Sequence, residues 1–359
     1  MAEPFLHGGP AGDDDRRPVR ADFSTSVNAY GPAEVVVDAV RAATTPARLA
    51  AYPDPTCGAA RRALAAESGV DLDALTLGAG ATELILAAAL AFAEPGEPVL
   101  VPRHGFGEYA RAARIRGAVV VTPDAGEPFA EAVRARRPRL AFLCTPESPA
   151  GRAWTRAAVR EAADACAEAG AVLALDQSFD AFAAAPLGTP ALPGHPAVLH
   201  LRSLTKDHAL AGLRVGHAVG APALVRALDR ARMPWSVSTP AQAAAVAACT
   251  PEARAHVRRT TALLRRSAAE LRTRLGGRAA APSDVHYFLL RAGADGNDAG
   301  AAARFAGTLR DRHALRVRDC ASFGLPEHVR VAARTPAENA LLVDALAGVL
   351  PHPDPFPRG

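Results

Sequence analysis

The chain has 359 residues, of which 49% are hydrophobic and 22% charged, with a formal net charge of +4. Such a mix can bury the core of one large domain plus a smaller one and excludes a wholly disordered chain. No run of about 18 uncharged apolar residues occurs, so no membrane-spanning helix is expected, and the five cysteines (Cys57, Cys144, Cys166, Cys249, Cys320) form no C-x-x-C pair, which speaks against a disulfide framework or a zinc site and for a reducing cytoplasm.

The first 20 or so residues are polar and rich in Gly, Asp and Arg, and read as an arm without the basic head and apolar stretch of a secretory signal. From about residue 74 short apolar runs alternate with helical patterns. Strands are expected over Ala74–Leu77, Pro98–Val101, Ala118–Val121, Leu140–Cys144, Ala171–Leu175 and Val198–Leu201. Helices are expected over Thr82–Ala93, Glu108–Arg116 and Thr155–Gly170. That alternation predicts an α/β fold with a mainly parallel sheet between helices. The basic run Arg134–Arg139 lacks interleaved aromatics, so a solvated helix end or loop is expected there, and no nucleic acid partner.

After about Pro240 the texture changes. Ala241–Leu275 reads as helix, broken near Thr250-Pro251, followed by strand Val285–Leu290, helix Ala301–Arg312, a short strand at Val317, strand His328–Ala332 and helix Pro336–Leu350. The expected organisation is an arm and covering segment over 1–35, a large domain over 36–240, a smaller α+β domain over 241–350 and an extended tail over 351–359.

The 41 basic residues comprise 40 arginines and a single lysine, Lys206. Arginine can replace lysine wherever any cation serves. It cannot do so where an amine must lose its proton and attack a carbonyl, because guanidinium keeps its proton at ordinary pH. Chance survival aside, a lone lysine is a candidate for chemistry. Gly78-Ala79-Gly80-Ala81-Thr82-Glu83 follows a strand and opens a helix, which makes backbone N–H groups and a helix dipole available to an anion. Asp176 ends a predicted parallel strand, where a carboxylate points into the ligand crevice of an open sheet.

The segment Leu201–Val219, LRSLTKDHALAGLRVGHAV, resembles the cofactor segment of the fold-type I aminotransferases, which use pyridoxal 5′-phosphate (PLP). Within that superfamily the chain is most similar to threonine-phosphate decarboxylase and histidinol-phosphate aminotransferase. The resemblance covers roughly His7 to Leu350. It implies that Lys206 forms the Schiff base with PLP, and that Ser203, Arg214, Gly80, Ala81 and Thr82 hold its phosphate. It further implies that Phe106, in HGFGEY, lies on the pyridine face and that Asp176 pairs with the ring nitrogen. Tyr52, in AAYPDP, would reach the phosphate of a second subunit, which implies a homodimer with active sites at the interface. The motifs around His7 and Asn28 and around Arg316–Thr335 resemble the decarboxylase branch. They imply substrate contacts from His7 and Asn28, a carboxylate contact from Arg330 and a phosphate contact from Arg318, with no metal.

The chain departs from the family where Thr145–Gly151 reads TPESPAG. Ser148 stands in place of the asparagine beside the PLP 3′-oxygen, Gln177 follows Asp176, and Phe179 lacks the usual hydroxyl. With fewer donors to that oxygen, the cofactor linkage is expected to keep its proton to higher pH. The leading expectation is a PLP enzyme acting at the α-carbon of an amino acid, most like threonine-phosphate decarboxylase. The alternatives are a histidinol-phosphate-type aminotransferase, a natural-product cyclase, eliminase or oxidase on the same scaffold, and a non-catalytic PLP-binding protein. A regulator with an aminotransferase-like sensor is disfavoured, since few residues precede the DFSTSVN segment.

Overall fold

The computed structural model describes residues 18–293, 298 and 300–349; the expectations for His7 and for the 351–359 tail lie outside them. Its strands are β1 (Ala21–Asp22), β2 (Leu75–Gly78), β3 (Pro98–Leu100), β4 (Val119–Val121), β5 (Leu140–Cys144), β6 (Val172–Asp176), β7 (Val198–Ser203), β8 (Gly216–Gly220), β9 (Tyr287–Arg291), β10 (Leu315–Arg316), β11 (Arg318–Asp319) and β12 (His328–Ala332).

Seven of them form one sheet in the order β2-β8-β7-β6-β5-β3-β4. Only β8 runs against its neighbours. Both faces are covered, and the side chains show why. Leu140, Phe142 and Cys144 of β5 pack with the helices Ala81–Phe92 and Gly107–Ile115. Ala141 and Leu143 point the other way, onto the helices Phe129–Arg136 and Arg156–Ala169. A strand buried on both faces reads as a continuous apolar run, as LAFLC does. Thr155 caps the last of these helices by accepting from Ala158 N, and Gly170 ends it in the left-handed conformation. The basic run ends the helix Phe129–Arg136, where Arg134 and Arg136 pair with carboxylates at the surface.

The chain after β8 turns to a second sheet. There β11, β12 and β9 pair antiparallel, under the helices Pro251–Leu275, Ala301–His313 and Pro336–Val349. Thr250 caps the first of these and Pro251 starts it, which explains the break. The short strand expected at Val317 is two strands flanking that residue. The helix Thr239–Ala248 belongs elsewhere than its sequence position suggests. Its alanines Ala241, Ala244, Ala245 and Ala248 pack with Leu75, Leu77 and Val219 of the large sheet. The opening segment crosses in the other direction: β1 pairs with β10, and Phe23 is buried among Phe288, Leu315 and Val331.

Register fixes the site. Gly78 lies opposite Gly216, which lies opposite Ser203. Asp176 lies opposite Leu201 on one side and Cys144 on the other. One edge of the sheet therefore carries the glycine turn, Ser203, Asp176 and Cys144 in a row. Gly216 must be glycine because a Cβ there would stand 2.5 Å from the Arg202 carbonyl oxygen.

Candidate active site

A cavity of about 1160 Å³ opens above this row. It is lined from the large sheet by Ala81, Thr82, Phe106, Ser148, Asp176, Phe179, Ser203, Lys206 and Arg214, and from the second sheet by Arg318 and Arg330. Ser24, Thr25 and Ser26, following β1, complete the wall.

Lys206 follows the end of β7 and faces the cavity, so part of its surface is accessible although the amine sits deep in the molecule. Burial, then the charges of Arg330 and Arg214, bring its pKa down to about 8 against an opposing effect from Asp176. Such an amine is about half neutral, and so available as a nucleophile, near pH 8. Its Nζ lies 5.7 Å from the centre of the Phe179 ring.

Around the start of the helix Ala81–Phe92, Gly80 has φ +81° and ψ 171°, a region open essentially to glycine. A Cβ on it would stand 2.9 Å from Arg214 Nη2. The Glu83 carboxylate accepts from Ala79 N and Ser236 Oγ and ties the turn in place. Arg214, itself at φ 55°, is anchored by Nη1 donating to the Ala211 carbonyl at 3.0 Å. A helix start, the Ser203 hydroxyl and a guanidinium thus converge, which is the donor set a phosphate dianion takes.

On the opposite side Asp176 is buried. Its Oδ1 accepts from Ser178 N at 2.9 Å and its Oδ2 from the Tyr109 hydroxyl at 2.7 Å. Phe106 presents its ring to the cavity and packs edge-on against Tyr109, with centroids 5.8 Å apart. Phosphate cup, amine, aromatic face and carboxylate are the parts that a phosphorylated pyridine aldehyde requires, and they line one cavity.

Arg330 and Arg318 supply the cation side. Arg330 donates to Ser148 Oγ at 2.9 Å and to the Ser24 carbonyl at 2.8 Å, over the Tyr287 ring at 5.3 Å. Arg318 donates to Ser322 Oγ at 2.7 Å and lies 5.3 Å over the Phe323 ring. Burial pulls both guanidiniums below their ordinary pKa, helped in Arg318 by the charge of Arg330.

Two expected site residues sit apart from the cavity. The buried Asn28 spends its side-chain N–H groups on the Asp207 carbonyl and Thr260 Oγ, at 2.9 and 2.7 Å. Its backbone N–H meets the Lys206 carbonyl. It thereby ties the lysine turn to the helix Pro251–Leu275. Tyr52 is 82% exposed and packs on Trp235, 5.2 Å away between centroids, outside its own chain's cavity. Reading from sequence missed Tyr109, although it closes the HGFGEY stretch, and the wall residues Ser24, Ser26 and Ser322.

A family model described as aminotransferase class I and II matches residues 20–346. A histidinol-phosphate aminotransferase of Symbiobacterium thermophilum is 34% identical over 97% of this chain and 96% of its own. Among solved structures, the histidinol-phosphate aminotransferase of Sinorhizobium meliloti in complex with pyridoxal-5′-phosphate superposes with a TM-score of 0.81 at 25% identity, covering 93% of this chain and 92% of that one. The L-threonine-O-3-phosphate decarboxylase of Porphyromonas gingivalis gives 0.79 at 23% identity, over 92% and 99%, a likeness of fold alone.

Proposed function

Because the chain belongs to the aminotransferase class I and II family and is a pyridoxal-phosphate enzyme, we propose that it transfers the amino group of a phosphate-bearing amine, of the histidinol-phosphate kind, to a keto acid. The observation that carries this reading is the pair of buried arginines, Arg318 and Arg330, facing the cavity that holds Lys206. The same pair also suits threonine phosphate, so geometry alone leaves decarboxylation open. The similar curated relatives bear the aminotransferase name, and that reverses the order of the two readings.

Lys206 would hold the cofactor through Nζ. Ser203, Arg214 and the backbone of Gly80, Ala81 and Thr82 would take its phosphate, Asp176 its ring nitrogen and Phe106 its face. Ser148 and Phe179 would flank its 3′-oxygen. Ser148 Oγ accepts from Arg330 and keeps its own proton to give, while Phe179 offers none. When bound, PLP supplies an electron sink that makes the substrate Cα acidic. Lys206 Nζ would then serve as the base that takes and returns the proton at that Cα. Arg330 and Arg318 would share the dianionic phosphate of the amine donor, and Arg330 would orient the α-carboxylate of the keto acid. Ser24 to Ser26 cover the cavity and exclude water.

We place the division of the chain near Thr250 rather than 240, because the helix Thr239–Ala248 packs with the large sheet. The exposed patch of Tyr52, Trp235, Met233 and Leu49 suits a second copy, with the Tyr52 hydroxyl reaching the partner's phosphate site. Sedimentation of the holoenzyme as a monomer would remove that part of the reading.

The reaction is tested by incubating the holoenzyme with L-histidinol phosphate and 2-oxoglutarate, and separately with L-threonine phosphate. Glutamate forming in the first mixture is the expected result. Release of CO₂ from threonine phosphate, with no glutamate from either donor, would overturn it.

A further inference from the structure

Tyr109 is 1% exposed and sits on the helix Gly107–Ile115, in the lining of the cavity. Its ring is stacked on Phe142 at 5.0 Å with planes 12° apart, and its edge meets Phe106. Two aromatic contacts therefore fix the direction of its hydroxyl, which donates to Asp176 Oδ2 at 2.7 Å. The other carboxylate oxygen is held by Ser178 N. A carboxylate held at both oxygens cannot turn about its own bond, and it surrenders part of its charge to the donors. We propose that Tyr109 is a positioning residue that fixes and tempers the Asp176 carboxylate, so that Asp176 pairs with the cofactor's ring nitrogen while the shared proton stays on nitrogen.

The inference rests on the reading of Asp176 as the ring-nitrogen partner, and it adds a residue that acts on the cofactor through that carboxylate. Three observations support it. Burial, and then the Asp176 charge, push the Tyr109 hydroxyl well above its ordinary pKa, so it stays protonated and remains the donor. Cys144 and Tyr287, buried nearby, are themselves pushed toward their neutral forms by burial first of all and so put no further charge beside Asp176. Among the described residues Tyr109 is the side chain that donates to this carboxylate, with the Ser178 backbone as the second donor. Phe106, proposed to cover the ring face, leans on the same tyrosine, so a single side chain registers both the face and the nitrogen of the ring.

Without the hydroxyl, Asp176 would draw the shared proton toward itself. The test uses holoenzyme loaded with PLP labelled with ¹⁵N in the ring. Borohydride reduction of the wild type first establishes that PLP is fixed on Lys206; if it is not, the functional reading fails and this inference with it. Given that link, Tyr109→Phe should move the ring-nitrogen resonance toward the unprotonated position and weaken PLP affinity about tenfold, the loss of one hydrogen bond to a charged group. The same substitution in an Asp176→Ala background should change affinity less than twofold. Site-specific 3-fluorotyrosine at 109 keeps the shape and donates more strongly, so it should move the resonance the opposite way; it also serves should Tyr109→Phe not fold. An unmoved resonance in both replacements would overturn the proposal. So would an equal loss of affinity with and without Asp176, which is the result of a merely structural role.

Discussion

Arg318 lies directly opposite Arg330 on the antiparallel β11–β12 pair, so two buried guanidiniums face each other across one rung of the second sheet. Like charges placed so are unfavourable until an anion comes between or beside them. Asp319 and Asp22 offset part of that repulsion, and under the proposed function a substrate anion would offset more of it. Arg318→Gln should raise KM for a phosphate-bearing donor about 10- to 100-fold, the loss of a charge-assisted hydrogen bond. It should leave KM for a donor with a single carboxylate within about threefold. Steady-state kinetics on both donors check the contrast.

Lys206 meets PLP as a free amine in the apoenzyme. With its pKa near 8, the rate of reconstitution should rise with pH through about 8 and level off above it, because only the neutral amine attacks. Arg330→Gln removes the larger of the two arginine effects on that amine, so the rise should move to higher pH. Stopped-flow absorbance at a series of pH values reads both curves.

His200, His217 and His286 are buried, and burial first of all holds their pKa values at about 4, about 3 and about 3. The unfolded chain takes up these protons as pH drops below the ordinary 6.5 while the folded chain does not. Their contribution to stability is therefore complete above 6.5 and is lost progressively toward pH 3–4. Urea midpoints should fall from pH 7.5 to 4.5. His286→Phe, which keeps the contact with Phe182 but cannot titrate, should fall less steeply.

Gly80→Ala forces a side chain into a glycine-only conformation and against Arg214. It should cost about 1–3 kcal/mol of stability and weaken PLP binding. Denaturation midpoints with and without PLP separate the two effects, since misplacement of Arg214 shows only in the difference.

Much of this site was legible because it is built on local patterns. LAFLC and AVLALD announce buried parallel strands, and a lone lysine among 40 arginines marks the amine. β8 was not legible. Its glycines at 216 and 220 and the polar His217 carry no apolar run, and its place is set by pairing with β2 and β7. The surroundings of Asn28 were hidden for a related reason. Its partners Asp207 and Thr260 are 179 and 232 residues away, so only the folded chain shows its polar atoms to be already spent. Tyr109 was in plain view but lies 67 residues from Asp176, and nothing in HGFGEY says which way its hydroxyl points. The packing of the helix Thr239–Ala248 on the large sheet was hidden because a run of alanines does not say which apolar surface it will meet.

The account turns on Lys206 as the residue that holds PLP. Reduction of the holoenzyme with borohydride, followed by digestion and peptide mass spectrometry, tests it directly, since no other lysine exists to compete. The predicted result is one phosphopyridoxyl group per chain, all of it on the peptide containing Lys206, with Lys206→Ala colourless and unlabelled. Label found elsewhere, or a Lys206→Ala protein that stays yellow with PLP in its cavity, would contradict it.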